Sequence, residues 1–338
     1  MDAETFQSLP RAEIARLVRL NGPRVCVFPV NGTRRWFMLE HQPPDGADLM
    51  STYVDVMERR QIELCQLFFD HGVHTLLMPV FGPDLFERGE GYMHMMAEGL
   101  TRLTSHPDFI SFYQAYGVRV RFYGDYRKYF HQTPYQYLID LFEQITAQTA
   151  SHDRHRLFYG VCANDASESV AELAISYHAR HGAAPDRRTL IEMYYGEYVP
   201  GVDLFIGFDR FSAFDMPLVA TGNEDLYFTV SPSPYLTERQ LRDILYDHMY
   251  TRRRDETDYL HMSAEDWALM RGFYHANLGK TLGVGARQKR GCYWYPLPAV
   301  HLPDGFDEPQ PSSTQPEHAT QAQRDGHSGV TDATSPQK

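Results

Sequence analysis

Asn31-Gly32-Thr33-Arg34-Arg35 is the stretch of this 338-residue chain best equipped to do chemistry. It follows an apolar run over residues 25–30 and leads into Trp36-Phe37. A glycine lets backbone come close to a ligand and turn free N–H groups toward it. Two adjacent guanidinium groups add forked donors that match phosphate oxygens. The chemistry on offer is capture of an oxyanion such as a diphosphate. The same residues also suit a plain surface turn with solvated arginines, so the elements around them must decide.

Those elements alternate. Residues 25–30, 74–81, 118–123, 156–163, 202–208 and 226–230 read as strands, and 74–81 is apolar on both faces, as in a covered parallel sheet. Residues 5–20, 53–69, 84–103, 134–148, 166–182 and 189–198 read as helices, and 41–51 as a loop. Two further helices, 237–253 and 263–279, are capped by Thr237 and Ser263. Met93, Met95 and Met96 read as helix packing. The alternation predicts an α/β fold with a mostly parallel six-stranded sheet flanked by helices. Sites in such sheets lie at the carboxyl ends of the strands. Besides the opening stretch, those ends carry Gly82, Pro83 and Asp84; Gly124, Asp125, Arg127 and Lys128; Asn164 and Asp165; and Asp209, Arg210 and Ser212. Bases and small residues converge with carboxylates beside them, which suits an oxyanion-rich substrate.

Composition narrows the classes. Net charge is −12, against wholesale nucleic-acid binding, so an anionic substrate must be held by a local basic site. Aromatic residues make up 13% of the chain, which fits a deep apolar pocket, a large interface or simply an aromatic core. Cys26, Cys65, Cys162 and Cys292 are scattered and point to free thiols in a reducing cytoplasm. The first residues have no signal-peptide pattern, and no apolar run approaches the ~20 residues of a membrane span. From Pro303 the chain turns polar and aperiodic, so residues 1–302 read as one catalytic domain and 303–338 as a disordered acidic tail. Dinucleotide, Walker, nucleophile-elbow and His-Glu-x-x-His motifs are absent. His178 and His181 suit a helix C-terminus rather than a metal, and Asn164-Asp165 with Glu172 reads as a helix start.

Asn31-Gly32-Thr33-Arg34-Arg35-Trp36 resembles the Asp-Gly-Asn-x-Arg-Trp signature of the cis-prenyltransferases, the undecaprenyl diphosphate synthase family. Further matches come in order: Arg121-Phe122-Tyr123-Gly124-Asp125, Asn164-Asp165-Ala166-Ser167-Glu168, Tyr194-Tyr195-Gly196-Glu197-Tyr198, Phe208-Asp209-Arg210-Phe211-Ser212 and Ile244-Leu245-Tyr246-Asp247-His248. Taken together they are most similar to the tuberculosinyl transferase and (iso)tuberculosinol synthase branch, with its kolavelool-forming relatives, over about residues 8–295.

The resemblance implies a cis-prenyltransferase fold and an enzyme that does not elongate chains. It implies a bicyclic diterpenyl diphosphate, kolavenyl or tuberculosinyl in type, supplied by a separate class II cyclase. The enzyme would ionise the allylic C–O bond, and water would quench the cation to a diterpene alcohol. Alternatives are transfer to a nucleoside such as adenosine, or a catalytically silent subunit. By the resemblance Arg34 and Arg35 hold the diphosphate, with Asn31 and Tyr53 as further catalytic positions. Gly32 and Thr33 form the substrate-facing loop, and Arg210 and Ser212 lie on the acceptor side. A homodimer and magnesium are likewise implied. Asn31 departs from the family, which places aspartate there; asparagine is a poor magnesium ligand. Arginine-driven ionisation, or magnesium on Asp84, Asp125 or Asp165, are the ways round that departure.

Overall fold

Pro29 cuts the first strand short. Lacking an N–H, it cannot continue a ladder, so β1 spans only Val25–Val27. The computed structural model describes residues 1–41, 49–252, 259–287 and 294–297. Around β1 stand β2 (Thr75–Phe81), β3 (Val118–Tyr123), β4 (His155–Val161), β5 (Leu204–Phe208) and β6 (Asp225–Thr229). Every pairing is parallel, in the order β3-β4-β2-β1-β5-β6. The six-stranded parallel sheet expected from the alternation is therefore present. Cys26 sits level with Leu76 on one side and Leu204 on the other. The chain leaves β1 toward β2 and later returns past it to β5, so the strand order reverses between β1 and β5. A small antiparallel strand pair, β7 (Gly285–Arg287) with β8 (Trp294–Pro296), was not expected.

The helices are α1 (Ala3–Ser8), α2 (Arg11–Asn21), α3 (Thr33–Glu40), α4 (Leu49–Asp70), α5 (Glu90–Ser105), α6 (Pro107–Tyr116), α7 (Tyr126–Phe130), α8 (Tyr137–Gln148), α9 (Ser167–His181), α10 (Arg187–Tyr195), α11 (Glu238–Tyr246) and α12 (Ala264–Ala276). Several differ from expectation. The helix over 5–20 is two, because Pro10 breaks it. The helix over 84–103 starts as a 3-10 turn, Pro83–Arg88, and Gly89 at φ 91° separates that turn from α5. Helix α6 is additional; Pro107 at its first turn and Gly117 at φ 58° beyond its end were its signals. Part of the loop over 41–51 (42–48), Cys292 and the tail over 303–338 lie outside the described residues.

Side chains alternate across the sheet with period two. Cys26, Leu76, Met78, Val120, Leu157 and Tyr159 enter one core cluster; Val25, Val27, Leu77, Phe158 and Phe205 enter the other. The aromatic wealth of the chain is largely here. Phe122 stacks on Phe142 at 3.9 Å, and the buried Tyr113 and Tyr159 share a hydrogen bond of 3.0 Å. Cys26, Cys65 and Cys162 are buried free thiols. Among the described residues no helix is long and apolar enough to cross a membrane.

Candidate active site

The stretch after β1 is not a turn into open chain but the start of a helix. Gly32 takes φ +73°, and a Cβ on it would stand 2.7 Å from the Phe208 ring and 2.9 Å from Pro232 Cβ. Only glycine serves at such a position. The first intrahelical bond of α3 runs from Trp36 N–H to Gly32 O at 2.9 Å. The N–H groups from Gly32 to Arg35 precede it and have no acceptor among the described residues. Together with the helix dipole they form an anion-seeking end. Asn31 anchors the turn: its N–H reaches Ser233 Oγ at 3.0 Å, and its carbonyl accepts from Ser233 N–H at 3.0 Å.

Three arginines border that end. Arg34 lies over the Tyr92 ring at 5.2 Å, and Arg88 lies over the same ring at 5.2 Å. Arg35 lies over Phe208 at 5.5 Å and 3.9 Å from Asp209. Arg88 is 3.6 Å from Asp84. Thr33 Oγ1 and Tyr53 O–H share a hydrogen bond of 2.7 Å. Burial pushes the Tyr53 hydroxyl up, so it is a neutral phenol at pH 7.

From this mouth a cavity of about 660 Å³ runs between α4 and α5. One helical stripe supplies Tyr53, Val54, Met57, Glu58 and Gln61; the other supplies Tyr92, Met95, Met96, Gly99, Leu100 and Leu103. Both follow the i, i+3/i+4 spacing of a single helix face. Between Tyr92 at the mouth and Arg102 at the far end the helix rises on the order of 15 Å. Met95 and Met96 thus line the cavity and correct the packing expectation, while Met93 packs in the core. The reason is the helical period, which separates 93 from 95 and 96 by direction. The lining is mainly methionine and aliphatic; Tyr53, Tyr92 and Phe109 are its aromatic members apart from the arginine-bearing turn.

The far end is polar. The Glu58 side chain is 3% exposed and accepts from Arg102 at 3.2 Å; Arg102 also reaches Glu98 at 3.0 Å and Asp55. His106 pairs with the other Glu58 oxygen. Burial pushes the Glu58 carboxyl up, and Arg102 and His106 pull against it. Glu58, His106 and Asp108 bring potential ligand atoms within 4.8 Å of one another. They lie away from the anion-seeking turn, and Arg102 already holds Glu58. Beside the mouth stand Asp84, 3.6 Å from Arg88, and Asp209, 3.9 Å from Arg35, carboxylates of the kind magnesium prefers, although among the described residues Glu58 is the one carboxylate that lines the cavity itself. Asp125 accepts from Ser169 Oγ at 2.5 Å and Asp165 from Ser167 N–H at 3.0 Å; neither lines the cavity.

Of the residues singled out in the sequence, Asn31, Gly32, Thr33, Arg34, Arg35 and Tyr53 come together on this cavity. Arg210 and Ser212 do not line it; they sit on the loop after β5, where Ser212 N–H donates to Arg210 O at 2.8 Å. Arg88 and Tyr92 also line the cavity, positions that residue type alone does not mark. The spacing of 92, 95, 96, 99, 100 and 103 was the available signal for Tyr92, whereas the 3-10 turn that aims Arg88 left none.

No family model matches the chain. It is 44% identical over 282 residues to a tuberculosinyl adenosine transferase of Mycobacterium tuberculosis, covering 83% of this chain and 94% of that protein. It is 25% identical over 282 residues to a (+)-kolavelool synthase of Herpetosiphon aurantiacus, covering 82% and 91%. Among solved structures, lavandulyl diphosphate synthase from Lavandula x intermedia, in complex with dimethylallyl diphosphate, aligns with a TM-score of 0.51 at 16% identity, covering 69% of this chain and 97% of that one. A probable undecaprenyl diphosphate synthase from Campylobacter jejuni gives a TM-score of 0.51 at 14% identity, with the same coverage. These two establish the cis-prenyltransferase fold and no more. With the anion-seeking turn, the apolar cavity and the 44% relative in hand, the chain belongs to the tuberculosinyl adenosine transferase family of prenyl-diphosphate-processing enzymes on that fold.

Proposed function

We propose that the protein transfers a bicyclic diterpenyl group from diphosphate to adenosine. The observation that carries the donor half is the cation-lined mouth opening on a cavity of about 660 Å³, within the range of roughly 300–1,000 Å³ usual for small-molecule sites. The acceptor half rests on the 44% relative, whose name specifies adenosine. Transfer to a nucleoside therefore moves ahead of the water-quenched alcohol that the motif resemblance put first.

The diphosphate sits against the N–H groups at the start of α3, between Arg34, Arg35 and Arg88. As the allylic C–O bond breaks, its electron pair leaves with the diphosphate, and these fixed donors stabilise the growing charge. The hydrocarbon lies in the cavity, away from water. An adenosine lone pair then forms the new bond to the allylic carbon. Tyr53, held by Thr33, stands beside the reacting end as a neutral hydroxyl. The bicyclic diphosphate would be supplied by a separate class II cyclase.

A second reading, quenching by water, has the kolavelool synthase likeness in its favour. Mass spectrometry of products from kolavenyl- and tuberculosinyl-type diphosphates, with and without adenosine, separates the two. An adenosine adduct is expected. Alcohol alone in saturating adenosine would reverse the order, and no turnover of any diphosphate would favour a silent subunit. Consumption of isopentenyl diphosphate is not expected. Light scattering in the same preparation checks the homodimer.

A further inference from the structure

The geometry points to a zinc site at the far end of the cavity, built from Glu58, His106 and Asp108. The site is independent of the donor and acceptor reading above.

Glu58 stands on α4 and is only 5% exposed. Arg102 holds one of its oxygens at 3.2 Å. The other, Oε1, is buried against His106 Nδ1, yet it accepts no hydrogen bond. A buried carboxylate oxygen without a donor is costly, and a cation is the partner that offsets the cost. Asp108 N–H lies 3.5 Å from His106 Nδ1, too far to occupy the nitrogen lone pair. Asp108 completes the set: one ligand atom from each of the three residues lies within 4.8 Å of the others.

The local charge favours a cation as well. Arg102 already faces Asp55, Glu58 and Glu98. With Asp108 beside them, four carboxylates share one guanidinium. A divalent ion reduces that excess. Arg102 stays on Glu58 Oε2, as hydrogen-bond partners commonly do in orienting a ligating carboxylate. An imidazole with two carboxylates suits zinc, whereas magnesium and calcium take oxygen donors.

Zinc bonds to such donors are about 2.0–2.2 Å long, so the three groups must close on the ion. Glu58 is held in place by Arg102. The His106 side chain is 36% exposed and Asp108 is exposed, so both have room to turn in. Water fills the fourth position. The backbone beneath is fixed: His106 N–H donates to Arg102 O at 3.0 Å, ending α5, and His106 O accepts from Ile110 N–H at 3.1 Å, starting α6. Zinc there joins α4 to the α5–α6 junction and braces the far end of the cavity.

The test strips the full chain of metal with a chelator and titrates it with zinc chloride by calorimetry, with magnesium chloride in parallel. One tightly bound zinc is expected, and saturation should raise Tm by a few degrees. His106→Ala and Asp108→Ala should each weaken binding by about a hundredfold and abolish the rise in Tm, since even the outer partners of metal ligands contribute ten- to a hundredfold. Both positions are at least partly exposed, so the variants should fold. His178→Ala with His181→Ala, the other histidine pair, should leave the zinc affinity unchanged. Tight binding that survives both His106→Ala and Asp108→Ala overturns the site. So does a protein that binds no zinc, or one that prefers magnesium.

Discussion

The two ends of one cavity use arginine in opposite ways. At the mouth, Arg34 has no ion-pair partner among the described residues, and Arg35 and Arg88 each meet a single carboxylate at 3.9 and 3.6 Å. At the far end, Arg102 serves Asp55, Glu58 and Glu98, the last two at 3.2 and 3.0 Å. The mouth leaves its cations largely unmatched; the far end sets its cation against a buried carboxylate. An arginine's function is therefore set by how much of its charge is already matched, not by its presence on a cavity wall. Exposed pairs contribute about 0–1 kcal/mol, but leaving a buried charge unpaired costs about 3–5 kcal/mol.

The sharpest way to break this contrast is at the mouth. The double substitution Arg34→Ala with Arg35→Ala should lower kcat/KM by about a thousandfold, since each charged donor contributes about 2 kcal/mol to the transition state. Its thermal midpoint should be nearly unchanged. A mild kinetic loss with a large fall in Tm would show the mouth to be structural. The far end should give the reverse pattern: Arg102→Ala is expected to lower unfolding free energy in urea by about 3 kcal/mol, because Glu58 stays buried without its main partner. Turnover per folded molecule should change little, and Glu58→Leu combined with Arg102→Met should recover most of the stability.

Asp215 sharpens the comparison as a half-buried carboxylate with no ion-pair partner among the described residues. Burial, with the Asp84 charge second, raises it from 3.8 to about 6. The folded state thus holds the proton more tightly than the unfolded chain. The associated stability is present below about 3.8 and is lost as pH rises through about 6. Asp215→Asn keeps the hydrogen bond from Tyr123 O–H to the residue 215 carbonyl, 2.8 Å. Asparagine also tolerates its left-handed φ of 57°. Relative to wild type, the variant should gain about 3 kcal/mol at pH 8 and less than about 1 kcal/mol at pH 4. An equal effect at both pH values would rule out the titration as cause. The smallest effect is expected at Thr33→Val, which removes the hydrogen bond to Tyr53 and should cost about 1 kcal/mol of transition-state or folding free energy. Comparing kcat with Tm in that variant tells which.

Much of this is legible in the residues themselves. The apolar period-two runs specify the strands, because alternate residues must enter opposite cores, as Leu157 and Phe158 do. Glycine and paired arginines after the first strand specify an anion-seeking turn, because few other residues supply a left-handed start and forked donors together. Met95 and Met96 share one helical face with Tyr92, yet their spacing does not say whether that face meets a neighbour or a cavity. Arg88, Arg34 and Arg102 are indistinguishable by type. Arg102 is matched by Asp55 and Glu58, 47 and 44 residues away, and Arg35 by Asp209 at the end of the neighbouring strand β5. Sequence by itself determined the elements and the chemistry of the turn, since both follow from local periodicity and local residue types. Only the tertiary structure decided which strand ends adjoin, which arginines stay unmatched and which helical face looks into a cavity, since those depend on strand order and on charges brought together across long stretches of chain.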